Sequence, residues 1–195
     1  NYYLNIRRKY SSSKISVVKK IVNDVKKNKD KSLIKYEKKF NNIKSLNANK
    51  LFFSKNEIEK SVKTLDKKVK NSIDIAFKRI FNFHKNQQFK GFKIKDSFNN
   101  SLSYRSKPIN KIGVYVPGGR ASYPSSVLMN CIPALIAGVK EIYMTVPSIN
   151  RKINPGVLYA AKKCKVKKIF KLGGAQAIAA LAFGTKTINK VDKIV

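Results

Sequence analysis

From residue 108 onward short apolar runs alternate with helical stretches, and glycine or proline stands at most of the junctions. Ile112 to Val116 reads as a strand and runs into Pro117-Gly118-Gly119. A helix follows from about Pro124 to Ala137, with Pro133 expected to kink it. Ile142 to Val146 is a second strand. Asn154-Pro155 is an N-cap with proline at the first helical position, opening a helix through Cys164. Lys168 to Leu172 is a third strand and ends at Gly173-Gly174. Ala175 to Phe183 forms a small-residue helix that Gly184 can close, and Val191 to Val195 begins a fourth strand. A β-α-β-α-β-α-β order of this kind admits few folds. It predicts a parallel sheet with right-handed crossovers.

The character changes near residue 107, so residues 1–107 and 108–195 read as two regions. The first is mainly helical with short strands. Ile15, Val18, Val22 and Val25 recur at helical spacing, and Leu33, Tyr36 and Phe40 continue as a helix after Asp30. Leu51-Phe52-Phe53 is a candidate strand. Ser54 and Glu57 form a capping box ahead of Ile58, Val62 and Leu65. Asp66 can cap a helix carrying Val69, Ile73, Ala76, Ile80 and Phe83. Phe92 and Ile94 alternate with lysines as an exposed strand, and Ser101 to Arg105 suits another.

The net charge of +33 over 195 residues invites a nucleic-acid reading, because a basic surface collects phosphates. The excess, however, is 37 Lys against six Arg, beside 19 Asn. Lys, Asn and Ile share A/T-rich codons, so codon bias accounts for the enrichment, whereas dedicated phosphate recognition recruits arginine for its bidentate fork. The basic residues are also spread, with 27 in residues 1–100 and 16 beyond. A basic α/β nucleic-acid-binding protein stays as the alternative reading. No apolar stretch reaches the length of a membrane span, and two cysteines make no disulfide framework, which points to a reducing cytosol.

Parallel α/β sheets bind ligands beyond the carboxyl ends of their strands. Both Gly-Gly pairs fall there, each before a helix whose free N–H groups suit an anion. Such pairs also simply make tight turns. Tyr115, two residues before Pro117, can stack on a flat ring or donate a hydrogen bond, or can be a core tyrosine. Gln176 can reach a ribose or base, or stand exposed in a first turn. Arg120, Ser122, Ser125 and Ser126 can meet phosphate or cap a helix. Neither G-x-G-x-x-G nor a Walker loop is present. The fold class is therefore α/β: an N-terminal helical region, then an incomplete Rossmann-like parallel sheet without the standard fingerprint.

Catalytic groups are scarce. His84 is the sole histidine and reads as structural, and Cys131 and Cys164 read as helix packing residues. This also counts against aldehyde-dehydrogenase-like chemistry, which needs a nucleophilic cysteine with an activating base. From Ser97 onward the carboxylates are Glu141 and Asp192 alone, too few for an acid/base pair or a metal set.

Two long segments carry a resemblance. Gly113-Val-Tyr-Val-Pro-Gly-Gly-Arg-Ala-Ser-Tyr-Pro-Ser-Ser-Val-Leu-Met-Asn130 resembles the histidinol dehydrogenase family, as does Gly173-Gly-Ala-Gln-Ala-Ile-Ala-Ala-Leu-Ala-Phe-Gly-Thr185 with Val191-Asp-Lys-Ile-Val195 behind it. The layout of the first half, including Ile80-Phe-Asn-Phe-His84, agrees. The resemblance implies a cytoplasmic, zinc-dependent homodimer that oxidises L-histidinol to L-histidine through the aldehyde and reduces two NAD. It implies NAD contacts at Tyr115 and Gln176. It places a third NAD contact, in a Gly-Pro-Gly-Asn motif, beyond Val195. The zinc ligands, a proton-handling Glu-His pair and the substrate-binding residues lie there too. On this reading the chain, starting at Asn1 and ending in an unfinished strand, is an N-terminal fragment. It has no catalytic or metal residue of its own and is inactive alone, and neither nucleic acid nor membrane is a partner.

Overall fold

The computed structural model describes residues 2–41, 46–118, 123–148 and 152–195, with side chains from residue 15 onward. The chain opens with α1 (Tyr2–Asn28) and α2 (Asp30–Asn41). Lys29 makes the corner between them at φ 52°. Asp24 fastens that corner: its carboxylate accepts from Ser32 Oγ, Lys35 Nζ and Tyr36 OH at 2.8, 2.8 and 2.9 Å. Helix α1 starts well before the expected Ile15. Its buried face is Ile21 and Val25, while Ile15 and Val18 are exposed, so half of the expected apolar stripe faces solvent. In α2, Leu33 and Tyr36 are buried and Phe40 is not.

A 3-10 turn (Ala48–Lys50) leads into Leu51-Phe52-Phe53. The triplet is not a full strand. Phe52 makes an isolated antiparallel bridge to Phe170, with Phe53 N–H donating to Ile169 C=O. Then come α3 (Lys55–Lys63) and α4 (Lys67–Lys85). The Ser54/Glu57 capping box is formed, and Asp66 accepts from the N–H groups of Lys68 and Val69. Helix α4 packs through Ile73, Ala76, Phe77, Ile80 and Phe81. The expected Val69 and Phe83 are exposed, because the contact stripe rotates toward Phe77 and Phe81. An exposed antiparallel hairpin follows, β1 (Phe92–Lys95) with β2 (Ser101–Tyr104).

The second half alternates as its sequence requires: β3 (Lys111–Tyr115), α5 (Pro124–Ile136), β4 (Glu141–Thr145), α6 (Pro155–Lys163), β5 (Lys168–Phe170), α7 (Gly174–Phe183) and β6 (Lys193–Ile194). The four strands form one parallel sheet in the order β5-β4-β3-β6. Pro133 stands inside α5, which continues for three further residues.

Strand alternation divides the core into two layers. Ile112, Val114, Val116, Ile142, Met144, Val146 and Ile169 face a cluster built with α3, α4, α5 and α6. Tyr143 and Phe170 face the other, built with α1, α2 and α7. Residues from both sides of position 107 enter each cluster. At Gly113, α7 packs tightly on β3: a Cβ there would stand 2.8 Å from Leu181 Cδ1.

Candidate nucleotide site at the carboxyl edge of the sheet

The sheet order places the first strand, β3, between β4 and β6. The chain thus leaves β3 toward one side and returns on the other, the switch point where open α/β sheets take ligands. Tyr115 ends β3 at this point, half-buried, with its N–H donating to Val195 C=O at 2.8 Å. Its hydroxyl accepts the Gly174 N–H at 3.2 Å. The loops after β3, β4 and β5 meet there. A Cβ on Gly118 would lie 2.6 Å from Pro147 C=O, and one on Gly173 would lie 2.6 Å from Pro147 Cγ. Glycine in both turns is thus what lets three loops close around one proline.

The helix starts differ in a way that bears on ligands. Ser54, Asp66 and Asn154 cap α3, α4 and α6 with side-chain oxygens. The residues that precede α5 and α7, Tyr123 and Gly173, give no side-chain cap; at α7 the Tyr115 hydroxyl takes the Gly174 N–H instead. Beyond the Gly174 N–H, the first turn of α7 keeps the positive end of the helix dipole at the carboxyl edge of the sheet, where an anion is favoured.

Gln176 is not an exposed first-turn residue. It is 3% exposed, and its Nε2 donates to Glu37 Oε1 at 3.0 Å, across the interface with α2. Glu37 is itself buried and accepts from Asn41 Nδ2 through Oε2 at 2.6 Å. Tyr115 and Gln176 come together around Gly174, which has φ +62°: Tyr115 OH holds its N–H, and Gln176 Oε1 stands 2.9 Å from where its Cβ would be. Gly119, Arg120 and Ser122 lie outside the described residues. Ser125 and Ser126 occupy the first turn of α5, exposed and half-buried.

Sequence reasoning missed Glu37, Lys171 and Thr145. Glu37 did leave a signal, since it falls four residues after the buried Leu33 and so shares its helix face. Lys171, just past β5, is buried with its ammonium paired to Glu57 and 4.2 Å above the Phe53 ring. Burial pushes the Glu57 carboxyl up, but the Lys171 ammonium and the Ser54 hydrogen bonds outweigh it and hold it below its ordinary value. Thr145, opposite Tyr115 in the sheet register, is fully buried, and its Oγ1 has no partner among the described residues.

Other candidate groups serve packing. Cys131 and Cys164 are fully buried between α5 and α6, and the Cys164 hydrogen bond together with burial pushes the Cys131 thiol far up. His84 is half-buried, with Nδ1 2.6 Å from Gln87 Oε1. It borders a cleft of about 740 Å³ between Phe89, Pro108, Ile109 and Val195 that touches neither Tyr115 nor Gln176. No three His, Cys, Asp or Glu side chains among the described residues converge as a metal site, so these residues do not fit zinc. No described helix is long and apolar enough to cross a membrane.

A helical region feeding a parallel sheet with glycine turns at its carboxyl edge defines an α/β protein of incomplete Rossmann-like type. The sequence profile of the histidinol dehydrogenase family matches residues 5–195, and the chain belongs to that family. It is 50% identical over 189 residues to the histidinol dehydrogenase of Pelagibacter ubique, covering 97% of this chain and 43% of that one. It is 44% identical to that of Carboxydothermus hydrogenoformans, over 91% of this chain and 41% of the relative. The crystal structure of histidinol dehydrogenase from Elizabethkingia anophelis superposes with a TM-score of 0.86 at 37% identity, covering 92% of this chain and 41% of that one. The chain thus spans less than half the length of the relatives it matches. The nucleic-acid alternative draws no support from these comparisons.

Proposed function

We propose that residues 108–195 form the NAD platform of a histidinol dehydrogenase, with residues 1–107 as its helical scaffold. The overall reaction would be oxidation of L-histidinol to L-histidine through the aldehyde, with NAD as hydride acceptor. The carrying observation is the meeting of Tyr115, Gly174 and Gln176 at the start of α7. The α7 N–H groups suit the dinucleotide's phosphates, the half-buried Tyr115 ring offers a flat apolar surface, and Gln176 supplies a polar contact for ribose. Zinc, the proton-handling Glu-His pair and the substrate-binding residues belong, on this reading, outside residues 1–195. Assembly as a homodimer and location in the cytoplasm rest on the family resemblance.

Calorimetric titration of NAD tests the platform. Tyr115→Ala and Gln176→Ala are each expected to weaken binding about tenfold, the scale of one lost hydrogen bond or stacking contact. Unchanged affinity in both variants refutes the assignment. The 195-residue chain alone is expected to produce no NADH from histidinol, and measurable turnover would contradict the placement of catalysis elsewhere.

A further inference from the structure

The Gln176 amide is held from one side only. Its Nε2 donates to Glu37 Oε1 at 3.0 Å, so that partner sets which way the amide is turned. Glu37 is in turn fixed by burial and by Asn41 one helical turn further along α2. With the nitrogen turned toward Glu37, Oε1 faces Gly174, whose N–H the Tyr115 hydroxyl holds. That oxygen has no hydrogen-bond partner among the described residues, yet it is not among the polar atoms sealed from solvent without one, which are Asp30 Oδ1 and Thr145 Oγ1. An oriented, unused acceptor therefore stands beside the start of α7.

We propose that Glu37 is a positioning residue for the dinucleotide: it turns Gln176 so that Oε1 is presented as the acceptor for a ribose hydroxyl of NAD. This rests on the reading of the site as an NAD platform. It gives the helical region a specific part in binding, through a carboxylate on α2, more than 130 residues from the amide it orients. Glu37 is buried at 2% exposure and bonded to Gln176, so on this proposal its effect passes through that amide.

A double-mutant cycle separates that role from a general structural one. NAD affinity is measured by calorimetry on the protein, on Glu37→Ala, on Gln176→Ala and on the double variant. Glu37→Ala is expected to weaken NAD about fivefold to tenfold, and to weaken it no further in the Gln176→Ala background. Equal losses from Glu37→Ala in both backgrounds, or no loss from it while Gln176→Ala does lose affinity, overturn the positioning role and leave the platform standing. No loss from Gln176→Ala removes the contact itself, and the proposal with it. Should Glu37→Ala fail to fold, the exchanged pair Glu37→Gln with Gln176→Glu decides. The single Gln176→Glu sets two carboxylates face to face and is expected to bind poorly, and the exchange restores an amide–carboxylate contact. Recovery to within about threefold of the parent supports the proposal. Absence of recovery in a folded exchange variant overturns it.

Discussion

Gly174 concentrates the residue-scale physics of the site. Its φ of +62° is the left-handed region that side chains enter at a cost, and Gln176 Oε1 occupies the space a Cβ would need. Gly174→Ala is therefore expected to destabilise the fold by about 1–2 kcal/mol, read as a shift in the urea midpoint. On the proposed NAD platform it should weaken NAD as well, since the added carbon displaces Oε1. Tyr115→Phe is a milder change. It keeps the ring and removes the acceptor for Gly174 N–H, so NAD affinity should fall only a few-fold while stability moves by about 1 kcal/mol. Loss of stability without any change in affinity would separate the hydroxyl from binding. Tyr115 and the glycine pairs were legible from their place at the strand end. The burial of Gln176 was not, because its partner Glu37 comes from a helix in the other half of the chain.

At the scale of elements, caps and close approaches decide where the helices sit. Ser54→Ala removes one half of the α3 capping box and should cost about 1 kcal/mol in a denaturant titration. Gly113→Ala drives a Cβ into Leu181, which is fully buried on α7. It is expected to cost about 1–3 kcal/mol by overpacking and to loosen α7, the helix that carries Gln176. An unchanged denaturant midpoint would mean Leu181 can step aside. The caps at Ser54, Asp66 and Asn154 could be read directly, since capping is a local pattern of residues three or four apart. The stripes of α1 and α4 were read less well. Ile15, Val18, Val69 and Phe83 fit helical spacing but face solvent, because spacing alone does not say where a neighbouring element ends. Leu51-Phe52-Phe53 likewise has strand composition, yet it makes one bridge, Phe52 to Phe170, flanked by the Phe53 N–H to Ile169 and Lys171 N–H to Leu51 bonds.

Across the whole molecule, the few carboxylates tie elements together. Asp24 is held well below the usual carboxylate range by Lys35 and then by Asn28, Ser32 and Tyr36, joining α1 to α2. Asp74 is pushed up by burial but drawn below its usual value by Lys163 and Tyr159, joining α4 to α6. Glu57 joins α3 to the end of β5, and Glu141 is lowered by Lys167 and Tyr143 where β4 and β5 begin. Each folded-state pKa lies below its unfolded value, so the stabilisation is complete above about pH 5 and is lost as pH falls through the depressed values. The melting temperature should be level from pH 8 to 5 and decline below about pH 4. Self-repulsion in a chain of net charge +33 steepens that decline. A melting temperature constant down to pH 3 would show that these ties contribute nothing.

By itself the sequence determined the alternation of elements after residue 107, the parallel sheet, the glycine turns and the lysine-rich character. These follow from periodicity, turn chemistry and composition, all properties of neighbouring residues. Only the tertiary structure decided that α1, α2 and α7 cover one face of the sheet while α3 to α6 cover the other. It also decided that Glu37 meets Gln176 and that Lys171 is buried against Glu57 and Phe53. Such pairings join residues more than a hundred positions apart. What brings them together is the packing of whole helices on the sheet, which no local pattern along the chain encodes.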